Sequence, residues 1–186
     1  MKQFIKKKKC KFCNELFLPY NTTQKVCNYT CAIQYNNSKI KNEAKKKARA
    51  EKRKFYAENM TLTDWKKKVQ TVFNKFIRLR DLEKGCISCG TPLQNRKFDA
   101  GHFYATTYEG IRFHEDNVHG QCVPCNRNKH GNIHEYRKRI TERITQNQLD
   151  WLDQNRYLKL KLSKTELKQL EIIYKQKIKD KDHERF

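Results

Sequence analysis

Eight cysteines fall into two sets of four, with none left over. The first set is Cys10-x2-Cys13 followed by Cys27-x3-Cys31. The second is Cys86-x2-Cys89 and, after 32 further residues, Cys122-x2-Cys125. A Cys-x2-Cys turn places two thiolates on one side of a tight knuckle, and two such knuckles complete a tetrahedral sulfur site that suits zinc. An iron–sulfur cluster is the alternative that four thiolates also permit. No apolar segment follows the basic start MKQFIKKKKC, so a secretory signal and disulfides are not expected. With four protein ligands each, the two zinc ions are expected to be structural, their binding free energy serving as folding free energy.

The stretch between Cys89 and Cys122 concentrates reactive side chains. It contains Asp99-Ala100-Gly101-His102-Phe103 and Arg112-Phe113-His114-Glu115-Asp116-Asn117-Val118-His119. The last knuckle continues Cys125-Asn126-Arg127-Asn128-Lys129-His130. This order resembles the zinc-carrying HNH, or His-Me finger, nucleases, in which two Cys-x2-Cys knuckles clamp a β-hairpin and a helix. The resemblance implies His102 as the general base that activates water, Asn117 as the residue that orients it, and Asn126 as a ligand of a catalytic cation. Many members have His where Asn126 stands, while a phage Holliday-junction resolvase of that group has Asn. His130, four residues on, is expected on the same helical face and is a further candidate ligand.

Shorter identities narrow the match. Asp-Ala-Gly-His-Phe, the Arg-Phe…Asp-Asn-Val-His-x-Gln-Cys run and the segment from Cys10 to Cys31 are similar to the NinG (Rap) family of lambdoid phage recombination proteins. The similarity runs from about residue 8 to about residue 145. It implies a structure-selective endonuclease that cuts branched DNA, such as Holliday junctions and D-loops, in the cytoplasm of the bacterial host. Branched DNA and recombination proteins are the implied partners, and no membrane is involved. The chain departs from the nuclease pattern in one respect: Gly101, not a ligand, precedes His102. The nearest carboxylate, Asp99, is three residues away and faces the other side of a regular strand, so its use as a ligand calls for a bulge at Gly101. His119 is a second candidate base or ligand.

Phosphodiester hydrolysis needs a nucleophile, charge neutralisation and help for the leaving oxygen. A histidine with a pKa near ~6.5 can take a proton from water at neutral pH. One Mg2+ (or Mn2+) on Asp99 and Asn126 would suffice, because this ion keeps several waters. Arg112, Arg127 and Lys129 are candidate phosphate clamps.

Four segments must position these residues. Residues 1–31 form an N-terminal four-cysteine zinc finger with a basic lead. Residues 32–84 hold a polar helix over 32–58, whose Lys45, Lys46, Lys47 and Arg49 are expected to meet DNA. An amphipathic helix comes next, capped by Thr61 or Thr63, with Trp65, Val69, Val72, Phe73, Phe76 and Leu79 on one face. Residues 85–146 form the nuclease finger, with short strands expected near 97–99, 102–105 and 111–113 and a helix after Gly131. Residues 147–186 end in a helix opened by the capping box Ser163–Glu166. Between them, Trp151 to Leu158 read as irregular. The fold class is α+β, mostly helical, built around a zinc-clamped ββα-metal finger.

Composition agrees with a polyanionic partner. Net charge is +22 on 186 residues, and hydrophobic content is only 37%. The excess is steepest at the start: residues 1–60 carry 16 basic and 4 acidic side chains, residues 141–186 carry 11 and 8. Such a field attracts nucleic acid, and no stretch nears the ~20 apolar residues that span a bilayer. A non-catalytic zinc module that binds DNA or RNA is the competing reading, since binding alone needs Lys and Arg. Paired incision of a junction favours a symmetric homodimer.

Overall fold

The computed structural model describes residues 6–159 and 161–183. The chain divides into two compact units, residues 1–59 and 60–186. In the first, β1 (Lys8–Lys9) and β2 (Leu16–Phe17) pair antiparallel around the Cys10–Cys13 knuckle. Asn14, at φ 66°, makes the reversal. α1 (Tyr29–Glu58) starts at Asn28, whose side chain accepts from the Cys31 N–H at 2.8 Å. Cys31 is the only buried residue of this 30-residue helix. Its apolar stripe of Ile33, Ile40 and Phe55 stays exposed. The cysteine cluster therefore holds this unit together in place of an apolar core.

The second unit rests on two long helices. α2 (Leu62–Asp81) is opened by a capping box between Thr61 and Asp64. α5 (Lys164–His183) is opened by the expected one, with Glu166 Oε2 accepting from the Ser163 N–H at 2.7 Å. Each buries its apolar stripe against the other. Met60, Trp65, Val69 and Leu167 form one cluster; Phe73, Phe76, Ile77, Tyr174 and Ile178 form another, which Ala100 and Val118 complete from a hairpin.

That hairpin pairs β3 (Phe98–His102) with β4 (Val118–Cys122), antiparallel, in unbroken register from Phe98↔Cys122 to His102↔Val118. It corrects the expected strands. One strand replaces those near 97–99 and 102–105, and residues 111–113 form none: Glu109–Ile111 is a 3-10 turn. The partner strand lies at 118–122, where both faces are buried, so no alternation of apolar and polar residues marks it. Nor is there a bulge at Gly101. It pairs with His119 in regular register, and a Cβ there would sit 2.2 Å from Gln121 Oε1. Glycine is required by this side chain crossing over it.

After β4, Pro124–Asn128 forms a π-helical turn. α3 (Ile133–Arg139) comes next, then α4 (Gln146–Asn155), in the stretch expected to be irregular. α4 has its own capping box, Thr145 with Gln148. Tyr136, Ile140, Ile144, Leu149 and Leu152 join Ile87, Phe103 and Ile111 in a second core on the hairpin's other side. Among the described residues no helix is long and apolar enough to cross a membrane.

Candidate functional site

The two cysteine sets converge as their spacing predicts. Within each, the four sulfurs all lie within 4.8 Å of one another. Cys13–Cys27 are 3.6 Å apart, Cys27–Cys31 3.5 Å and Cys89–Cys122 3.7 Å. Zinc with four Zn–S bonds of about 2.3 Å puts neighbouring sulfurs ~3.8 Å apart, so both sets could hold zinc. Surrounding donors match thiolate ligands. The Cys27 N–H points to Cys10 Sγ at 3.4 Å, the Cys122 N–H to Cys86 Sγ at 3.3 Å, and Asn132 Nδ2 to Cys125 Sγ at 3.6 Å. Such donors orient the metal ligands and offset their charge.

Asp99 and Asn126 meet. Asn126 Nδ2 donates to Asp99 Oδ2 at 2.9 Å, and Arg127 grips the carboxylate with Nε and Nη2, each at 2.8 Å. The Arg127 guanidinium, with the Asn126 amide, holds the Asp99 carboxyl below the usual range, although burial opposes this. Asp99 and Arg127 line a groove of about 590 Å3 whose other walls carry Lys75, Arg78, Arg96 and Lys97. Lys75 and Arg78, on α2, are not singled out by sequence. Their signal is a pair of cations on the outward side of an otherwise core-facing helix.

His102 ends β3. Strand alternation sets it on the same face as Ala100, and Asp99 on the other. With no bulge, His102 and the Asp99–Asn126 pair are not brought onto one face. The His102 Nε2 lies 3.2 Å from the Arg112 carbonyl. Burial lowers its pKa to about 4, helped by the Arg112 charge and opposed by that carbonyl and the Ala100 carbonyl. Asn117 is fully buried, and its side chain bonds to backbone groups. Its Oδ1 accepts from the Tyr104 N–H at 2.8 Å, while Nδ2 donates to the Tyr104 and Ile111 carbonyls at 3.0 and 3.1 Å. It thus fastens both ends of the loop that runs from His102 to the Arg112 carbonyl.

The remaining candidates scatter. His119 is buried, with Nδ1 3.0 Å from the Tyr136 hydroxyl, which reaches the Gly101 carbonyl at 3.0 Å. Burial, then the Arg80 charge, lowers its pKa to about 3. Its place is in the core, away from water. His130 does not share a helical face with Asn126: the turn ends at Asn128, and His130 is exposed at φ 49°. Arg112 is half-buried, its Nε donating to Gln70 at 2.8 Å. Lys129 is exposed, as are Lys45, Lys46, Lys47 and Arg49 on α1.

One structural pair has no counterpart among the residues picked out by sequence. Asp81, fully buried, accepts from Arg80 at 2.8 and 2.9 Å and from the Gly120 N–H at 2.8 Å. Arg80 also donates to the Val118 carbonyl at 2.7 Å. The pair docks the end of α2 onto β4. Its signal is a carboxylate four residues after Ile77, on the buried stripe of α2.

Comparisons agree over nearly the whole length. The family model for "Bacteriophage Lambda NinG protein" matches residues 2–184. "Protein ninG" of Escherichia phage 933W is 33% identical over 192 aligned residues, covering 94% of this chain and 93% of that protein. "Protein ninG" of Escherichia phage lambda is 41% identical over 117 residues, 62% of this chain and 56% of that protein. No solved structure matches. With one continuous match running through both cysteine sets and the hairpin, the chain belongs to the bacteriophage NinG family.

Proposed function

We propose that the chain is a metal-dependent endonuclease for branched DNA that acts in phage recombination inside the host cell. The observation that carries this reading is the Asp99–Asn126 contact at 2.9 Å beside a groove rimmed by Lys75, Arg78, Arg96, Lys97 and Arg127. It sets a carboxylate and an amide beside a dense patch of positive charge suited to phosphate. The contact is made by Asn126 Nδ2; with the amide turned to present Oδ1 instead, a carboxylate and an amide oxygen would fit Mg2+ or Mn2+, which need few protein ligands. Such an ion, when bound, neutralises phosphate charge and stabilises the leaving oxygen.

The chain's own residues supply the rest. The Arg112 carbonyl can only accept, which puts a proton on His102 Nε2 and leaves Nδ1, with the Ala100 carbonyl near the ring, as the nitrogen to act as base. It takes a proton from water, and a nearby phosphate's negative charge raises its basicity toward the operating pH. Asn117 is a positioning residue that acts through the Ile111–Arg112 segment. With His102 and Asp99 on opposite sides of β3, a single phosphate reached by both would have to lie across the strand's free edge. Arg127 and its neighbours hold it there. Two such sites in a symmetric homodimer would cut the two strands of a junction together.

The test is cleavage of a labelled four-way junction by the zinc-loaded chain, with and without Mg2+ or Mn2+, beside His102→Ala and Asp99→Asn. Metal-dependent incision, absent in both variants and sparing linear duplex, is expected. Tight junction binding by all three proteins with no incision under any metal would instead leave a DNA-binding module.

A further inference from the structure

Away from the Asp99 groove, a second concave patch forms where the turn at Thr107–Glu109 meets the segment after α4. Tyr157 is 66% exposed there. The Tyr108 ring meets it edge-on, centroids 5.6 Å apart. The Arg156 guanidinium lies 4.7 Å from the Tyr157 centroid and 5.2 Å from that of Tyr104. These residues open onto a hollow of about 440 Å3, with Lys159 and Lys161 on its lining.

The hollow is shaped by fixed backbone. A Cβ on Gly110 would lie 2.6 Å from the Leu158 carbonyl oxygen, so the two segments touch directly. Among the described residues, Glu109 is the one acidic side chain lining the hollow, and it is ion-paired with Lys66. What remains is a largely exposed aromatic ring with Arg156 over one face and Lys159 and Lys161 beside it. Aromatic faces with cationic surroundings are the means by which proteins hold unstacked bases irrespective of sequence. The loop that carries Tyr108 also supplies the Arg112 carbonyl to His102.

We propose that this hollow takes an unpaired nucleobase, stacked on Tyr157, with its flanking phosphates on Lys159 and Lys161. Within a linear duplex both faces of a base are covered by its neighbours, so only a branch or a single strand offers one. The inference rests on the nucleic-acid part of the proposed function and gives it a source of preference for branched over linear DNA.

The experiment is equilibrium binding without divalent cations, so that no incision intervenes. The zinc-loaded full chain is titrated onto DNA with a single-stranded arm carrying a fluorescent adenine analogue, and onto blunt duplex. Stacking quenches the analogue. Tyr157→Ala is expected to abolish the quench and weaken binding to the armed DNA about tenfold, leaving duplex affinity unchanged, whereas Tyr157→Phe keeps both. Equal affinities of wild type and Tyr157→Ala for both DNAs, or an equal loss on both, would overturn the proposal while the nuclease reading stands. Failure of the wild type to bind either DNA would overturn both.

Discussion

Asn117 holds Tyr104 by both ends of its backbone: Oδ1 takes the Tyr104 N–H at 2.8 Å and Nδ2 gives to the Tyr104 carbonyl at 3.0 Å. A third bond, to Ile111, closes the loop. Replacing the amide by alanine strands three backbone groups, two part-buried and one buried. Asn117→Ala should cost about 3 kcal/mol of stability in urea unfolding, from the lost bonds and the unsatisfied partners together. For a residue that positions His102, incision is expected to fall further than stability explains, at temperatures where the variant remains folded.

Asp81 anchors a different junction. Burial alone would push its pKa up, but Arg80 and the Gly120 N–H hold it down. A carboxyl held down in the folded state adds stability that is present above its unfolded pKa of ~3.9 and lost as pH falls through the folded value. Asp81→Asn should cost about 3 kcal/mol at neutral pH, because it leaves a largely buried Arg80 with only the more distant Glu115, at 4.0 Å, as counter-charge. Chemical denaturation at pH 7 measures this directly.

Two histidines, His119 buried and His102 half-buried, make the second unit acid-sensitive earlier. The pKa values of His102 and His119 are lowered to about 4 and about 3, against ~6.5 for the unfolded chain. Their contribution is complete above pH ~6.5 and declines as pH falls from there through the two folded values. Each contributes a slope of up to about 1.4 kcal/mol per pH unit within its window. His119→Gln should show a shallower loss than the wild type on acidification from pH ~6.5 to ~5, with zinc content followed in parallel. An identical slope would show that His119 is not buried as a neutral ring.

The carboxylate of Asp99 has both oxygens engaged by Arg127. A divalent cation and this guanidinium compete for one anion. Arg127→Gln is therefore expected to bind Mn2+ more tightly than the wild type, by a few-fold, since the ion pair is partly exposed and screened. Paramagnetic titration of the DNA-free chain reads the difference, and unchanged affinity would remove Asp99 from the metal site.

Each unit carries one of the two four-cysteine sets that could hold zinc. Two equivalents per chain are expected by elemental analysis. Cys31→Ser should release one and unfold residues 1–59, whose only buried helical residue it is. The transition of residues 60–186 should persist, because its core draws on α2, α5 and the hairpin.

How much of this is legible depends on which physical signal each element carries. The cysteine clusters are legible, because ligand spacing is local. So are α2 and α5, where capping boxes precede stripes repeated at helical period. β4 is not, because His119 and Gln121 are buried as fully as Val118 and Gly120 and the strand lacks any polar face. Ile111 and Phe113 suggest a strand only because they are apolar two residues apart. For the candidate site, residue types are readable, but faces are not. That Gly101 is regular, and so keeps Asp99 and His102 apart, comes from Gln121 lying over it. No pattern near Gly101 encodes a contact from so far along the chain.

The π-helical turn at Pro124–Asn128 has a consequence for how this region can vary. The Lys129 N–H bonds back five residues to the Pro124 carbonyl at 3.0 Å, so the turn holds one residue more than an α-helical turn would. That surplus sets the rotational phase of the downstream chain: Cys125 is turned to the sulfur cluster, Asn126 to Asp99, and Asn132 back to Cys125 Sγ. Tolerance here is governed by counting more than by chemistry. Asn128 is exposed and free to be exchanged, whereas deleting it would swing the chain beyond it out of phase and lose Asn132 from the thiolate.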